Sequence, residues 1–277
     1  MFKKMLIRSL FLLVIFVSCS THFEEESGKD WSSVDTLLVE QYMLQIEKAP
    51  LFSLRRQYYL DSILMMIPQS AFLWQQKAMP LLKQRKYELS MPYLDSAVKY
   101  DESRYIEYRA FVKCVFFKSY NGALQDFVIA ENLNGNSVVM DHRYSFYKGL
   151  CHLQLNALDS AIYFFQQTFK QSKEAWGAQN SHFLYPFYLG ICYFEKEEYQ
   201  LALEYFDQSL RIYSNFSDAL YYCSLSHYYM GNMDAAKGIL NNIDIEYTIN
   251  EGNSIYEPYP YQINKYMLNA WIDMIYK

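Results

Sequence analysis

Laid against itself, the chain repeats one pairing of small and bulky residues every thirty-odd positions, and no other feature narrows its possible folds as much. The four-residue stretches 108–111, 146–149, 187–190 and 221–224 begin with Tyr108, Phe146, Phe187 and Tyr221. Each is followed by an alanine at Ala123, Ala161, Ala202 or Ala236, and four residues later by Phe127, Phe165, Phe206 or Leu240. An earlier copy carries Trp74, Ala78, Tyr87, Ser90, Leu94 and Ala97. Steps between equivalent small residues are 33, 38, 41 and 34, so the basic period is near 34, with additions around 137–141 and 176–182. A small residue allows two helical backbones to cross closely, and a ring four places along the same helical face fills the hollow beside it. A single helical hairpin cannot bury its apolar face, whereas a stack of them can.

Matched place by place, the pattern resembles the tetratricopeptide repeat, in which two antiparallel helices make a 34-residue unit. The copy at 183–216 agrees best, with Gly190, Tyr193, Tyr199, Ala202 and Phe206 in the family's places, and departs at Pro186, Ser209 and Ser214. Copies at 71–104, 142–175 and 217–250 keep their small and bulky pairs, and a degenerate first copy spans about 37–70. Near 104–137, Phe111 stands where a small residue is usual, which predicts a splayed or differently packed hairpin. The resemblance implies an all-α fold: a right-handed solenoid of about five to six helical hairpins over 36–250. Beyond it, 251–277 is expected to form a turn and a capping helix, since Ile263, Tyr266, Met267, Ala270, Trp271 and Met274 recur at helical spacing.

Composition agrees with helices. With 9 Gly and 7 Pro in 277 residues the chain has few sharp turns for a barrel or sandwich, and its 28 Tyr and 19 Phe suit surfaces that are half packed and half wet. The N-terminus reads as an address: Lys3, Lys4 and Arg8 precede an apolar run, Leu10 to Val17, too short to span a bilayer comfortably. The stretch Val17-Ser18-Cys19-Ser20 resembles the lipobox of bacterial lipoproteins. That resemblance implies a signal peptide at 1–18, acylation of Cys19 and a tether over 19–35. Ser20 resembles the sorting residue of outer-membrane lipoproteins in Gram-negative bacteria, and Glu24 to Glu26 a weak surface-export signal. Removing residues 1–18 leaves 22 basic against 30 acidic side chains, a net charge of −8, which disfavours nucleic acid as a partner.

No constellation for catalysis is evident. There is no glycine-rich phosphate loop, and the five histidines His22, His142, His152, His182 and His227 lack metal-ligand spacing. Cys114, Cys151, Cys192 and Cys223 are expected to be small buried hydrophobes, because equivalent places in neighbouring repeats lie about 8–10 Å apart, beyond disulfide reach. The acids of Glu195 to Glu198 fall in a solvated turn. No cofactor, metal or enzymatic activity is expected. The family resemblance implies an inner groove lined by the first helix of each hairpin, and here it points to a partner-binding set of Tyr108, Phe146, Phe187, Phe194, Tyr221 and Tyr228. The expected function is a membrane-anchored scaffold that binds another envelope protein or peptide. The alternative is capture of a glycan or peptide in the aromatic groove.

Overall fold

A computed structural model describes residues 36–249 and 257–277. The expected signal peptide, Cys19 and the expected tether lie outside the described residues, as do residues 250–256 of the expected turn. The fold is all-α, built from consecutive helical hairpins, and the described residues divide into two compact units, the first ending at Tyr105 and the second beginning at Ile106.

In the first unit, α1 (Thr36–Lys48) pairs with α2 (Leu54–Met66), and α3 (Ala71–Lys83) pairs with α4 (Tyr87–Tyr100). Ser53 and Ser70 cap α2 and α3 by accepting from the backbone N–H of Arg56 and Leu73, which satisfies donors that a helix start leaves unpaired. Val39, Ile46, Leu60, Ile63, Ile67, Phe72 and Leu73 form one core, so α1 and α2 are the first, degenerate hairpin expected over 37–70. Ala78 of α3 and Leu94 of α4 are both buried, a small and a bulky residue in this hairpin's two helices.

The second unit begins within α5 (Glu102–Val115), followed by α6 (Tyr120–Asn134), α7 (Tyr144–Gln154), α8 (Leu158–Trp176), α9 (Leu184–Glu195), α10 (Tyr199–Ile212), α11 (Ser217–Tyr229), α12 (Met233–Leu240) and α13 (Lys265–Tyr276). Within this unit α6 packs on α7, α8 on α9 and α10 on α11, which is the sequential stacking that the repeat requires. The glycines explain the closeness. A Cβ on Gly149 would stand 2.6 Å from Phe165, and one on Gly190 would stand 2.4 Å from Phe206, so each ring lies against bare backbone. In the last hairpin Ser224 takes the glycine's place and spends its hydroxyl locally, donating to the Ala236 carbonyl at 2.8 Å and accepting from the Trp271 indole at 3.0 Å. That indole anchors α13 as the capping helix; Trp271 and Ile275 are its buried residues.

The hairpin with Phe111 at the small place is packed differently, as expected. Phe111 turns edge-on to Tyr147 of the next hairpin at 5.4 Å, and polar contacts join its own two helices. Buried Asp126 of α6 receives Arg109 in a two-pronged bond at 2.8 and 2.9 Å, and Lys113 at 2.8 Å. The paired carboxylate thereby keeps partners for both oxygens inside the unit.

Both additions to the period become structure. The first forms a two-stranded antiparallel ribbon, Val138–Val139 with His142–Arg143. The second lengthens α8 to 19 residues and adds a short 3-10 turn, Ala178–Asn180. All five hairpin turns from α3–α4 onward bend through one residue with positive φ at the same place of the repeat: Arg85, Lys118, Asn156, Glu197 and Gly231. Four of these carry a Cβ in a left-handed conformation, which is disfavoured by roughly 1–2 kcal/mol for such a residue.

Candidate functional site

The rings proposed from sequence as a groove fall into three groups. Phe146 and Phe187 are fully buried and present no surface, which corrects their assignment as groove residues. Phe146 packs among His142, Phe165, Tyr185 and Tyr188, and Phe187 among Phe206, Phe216 and Tyr222. Their place in the repeat faces the neighbouring hairpin, and a ring there fills the space between hairpins. Tyr221 is 8% exposed and lies edge-on to Tyr222, so little of it reaches solvent. Tyr108, Phe194 and Tyr228 are half-buried. Phe194 touches Tyr199, Tyr222 and Tyr229, while Tyr228 lies edge-on to Trp271 of the capping helix at 5.0 Å.

The face formed by the first helices of the second unit is crossed by a part of this chain that sequence reading assigned to a simple turn. Lys118, just past α5, donates to the Pro258 carbonyl at 2.9 Å, and the Tyr188 hydroxyl on α9 donates to the Pro260 carbonyl at 2.9 Å. Tyr259 and Pro260 lie beside Cys114, Val115 and Leu150. Tyr261 meets the Tyr222 ring on α11 and is hydrogen-bonded to Glu195. At the far end Asp218 of α11 accepts from the backbone N–H of Ile263 at 2.6 Å and of Ile249 at 2.8 Å. This strap runs diagonally from the α5 end to the start of α11, and its Tyr259 and Ile263 are buried.

Asp218 is the most perturbed acid in the strap's surroundings. Burial raises its carboxyl to about 7, against the lowering effect of the two backbone N–H donors. Tyr188 and Tyr222 beside it are likewise pushed up by burial. A second polar knot joins the two additions to the repeat. The His142 and His182 rings meet edge to face at 4.7 Å, and His142 Nδ1 lies 3.1 Å from the Tyr185 hydroxyl. Burial lowers His142 well below the ordinary imidazole range and takes His182 down to about 4, so both are neutral at pH 7. Among the described residues no group of three or more His, Cys, Asp or Glu side chains could hold a metal ion, and no helix is long and apolar enough to cross a membrane.

All four cysteines in the repeats are free and buried. Cys114 on α5 donates its thiol to the Tyr147 carbonyl of α7 at 3.8 Å. Hydrogen bonding with Cys114 and burial hold the Cys151 thiol well above its ordinary value, and burial, with the charge of Glu195 adding to it, raises Cys192 to about 12. Thiolates are the reactive form, so these side chains are poor nucleophiles. In the native protein Cys114, Cys151, Cys192 and Cys223 should stay unmodified by an aromatic disulfide reagent over an hour and react within minutes in denaturant. Rapid labelling of any of them in the native state would contradict the packing described.

A family model described as tetratricopeptide repeat matches residues 187–216. Among solved structures, a tetratricopeptide repeat protein from Parabacteroides merdae is similar with a TM-score of 0.59 at 14% identity, over 77% of this chain and 78% of that one. PilW, described as a widely conserved type IV pilus biogenesis factor, has a TM-score of 0.56 at 13% identity, over 74% and 90%. PilF of Pseudomonas aeruginosa has a TM-score of 0.53 at 15% identity, over 77% and 91%. Identities this low speak to the fold alone. No curated protein matches the sequence.

Proposed function

We propose that the chain, whose stacked helical hairpins are similar to those of tetratricopeptide-repeat proteins, is a docking module that holds another protein, performs no chemistry of its own, and is tethered to a bacterial envelope membrane through acylated Cys19. A repeat stack offers a large rigid surface at little ordering cost, and function resides in the side chains it presents. The observation that carries the reading is a cluster of rings left at the surface. Tyr199 stacks on Tyr229 at 5.2 Å, Phe194 adjoins both, and Tyr229 is 53% exposed. Tyrosines of this kind are enriched where proteins bind one another, since each gives a broad apolar face and a hydroxyl with few rotors to freeze. PilW's description as a pilus biogenesis factor supports an assembly role for a stack of this type.

Pull-down from detergent-solubilised envelopes should recover a stoichiometric protein partner with wild type. Recovery should fall at least tenfold with Phe194→Ala/Tyr229→Ala, provided the helical circular dichroism is unchanged. Binding to a glycan array in place of a protein would overturn the scaffold reading in favour of glycan capture. The tether is tested separately: a fatty-acid probe should label wild type and spare Cys19→Ala, and equal labelling would remove the lipoprotein assignment.

A further inference from the structure

We propose that Pro258–Ile263 is a built-in occupant of the face formed by α5, α7, α9 and α11, and that a partner docks there with a proline- and tyrosine-bearing segment that displaces it. This rests on the reading of the chain as a docking module and names the chemistry that the module takes.

The contacts are of a kind that another segment could reproduce. Lys118 and Tyr188 donate to main-chain carbonyls of Pro258 and Pro260, and Asp218 accepts main-chain N–H groups of Ile249 and Ile263. Backbone contacts of this sort read the path of a chain, while pockets for alternate side chains read its sequence. Side-chain recognition comes from Tyr259, which is buried and lies beside Cys114, Val115 and Leu150, and from Tyr261, which meets Tyr222 and Glu195. Proline suits both carbonyl positions because it fixes φ and has no N–H to leave unpaired.

The strap is also under tension. Gln262 donates its backbone N–H to the Tyr259 carbonyl at 3.1 Å, closing a turn over Tyr259, Pro260, Tyr261 and Gln262. Tyr261 takes the third place of that turn with φ +61°, a left-handed conformation that glycine adopts readily and tyrosine does not. Strain of this kind persists only where the surroundings impose it, and it is relieved when the segment leaves. The strap belongs to neither a helix nor a ladder, so releasing it breaks no regular secondary structure. Being tethered, it competes as though present at about millimolar concentration, which weakens any partner's apparent affinity until that partner outbids it.

The test uses the full chain and a fluorescein-labelled peptide with the sequence of residues 257–264. Tyr259→Ala/Ile263→Ala empties the pockets of the resident strap. By fluorescence anisotropy, this variant should bind the peptide at least tenfold more tightly than wild type does. Adding Lys118→Ala and Tyr188→Phe should abolish that gain. A folded variant that binds no peptide, or one that elutes as a dimer with exchanged straps, overturns the proposal. If the variant does not fold, hydrogen exchange on wild type decides. The Ile249 and Ile263 amides should exchange at least tenfold faster than those of α9 through local opening, and equal protection would make the strap a permanent part of the fold. Recovery of an envelope partner without peptide binding sinks the strap and leaves the docking function standing. Peptide binding without an envelope partner does the reverse.

Discussion

Gly190→Val should destabilise the second unit by about 3 kcal/mol, at the upper end of what overpacking a core usually costs. The Cβ alone would sit 2.4 Å from Phe206, whose ring is fully buried between α9 and α10 and has nowhere to retreat. Valine adds two methyl groups to that overlap. Gly190→Ala should be milder, because alanine recovers roughly 1 kcal/mol of helix propensity against the clash. Gly238 is the control: in α12 a Cβ at this position would meet nothing within 4 Å, so Gly238→Ala should raise stability by about 0.5–1 kcal/mol. Urea denaturation followed by circular dichroism measures all three. If Gly190→Val unfolds at the wild-type midpoint, close helix approach is not what the repeat's small residues are for. Trimming the ring with Phe206→Ala should recover part of the Gly190→Val loss, since residues in contact couple.

Asp218→Ala should cost about 2–5 kcal/mol, because it strands two buried backbone N–H groups that have no other partner of that strength. Both belong to the segment it fastens, at Ile249 and Ile263. Asp218→Asn should fall between, since its amide oxygen serves one N–H while its NH₂ group confronts the other. The pH dependence has a definite sign. The carboxyl is raised to about 7 in the folded protein, so the fold holds a proton that the unfolded chain gives up near pH 4. Its stabilising contribution is complete below that lower value and is lost as pH rises towards about 7. The margin of wild type over Asp218→Asn should therefore be widest near pH 4 and shrink until about pH 7. The difference between the two proteins is the quantity to follow. Neutral, buried His142 and His182 contribute the opposite slope, their stability being lost as pH falls below the ordinary imidazole value. A margin that grows between pH 5 and pH 8 would contradict the burial of Asp218.

The two predictions mark the edge of what could be read in advance. Gly149, Gly190, Ala161, Ala202, Phe165 and Phe206 were legible because each satisfies a local rule, small against bulky at helical spacing, that holds in any copy of the repeat. Phe146 and Phe187 were misjudged because a ring at their place can face a groove or the next hairpin, and sequence spacing is the same in both cases. Asp218 carried no signal: one aspartate at a helix start looks like any exposed N-terminal acid until Ile263, forty-five residues on, folds back onto it. The nearest available hint was the run of Pro258, Tyr259, Pro260 and Tyr261, whose apolar rings sit beside prolines in a stretch that helical periodicity does not explain.

By itself the sequence determined that the chain is a run of helical hairpins with a period near 34 residues and a helix near its end, because periodic burial and close backbone approach are written in residue size and spacing. Tertiary structure alone decided which rings are exposed, how the added residues fold into a ribbon and a longer α8, and where the segment before α13 lies. It also decided that Arg85, Lys118, Asn156 and Glu197 all turn through the left-handed region despite their side chains. The physical reason is the same in each case. Those outcomes depend on contacts between residues distant in the chain, whose combined packing overrides the preference of any one of them.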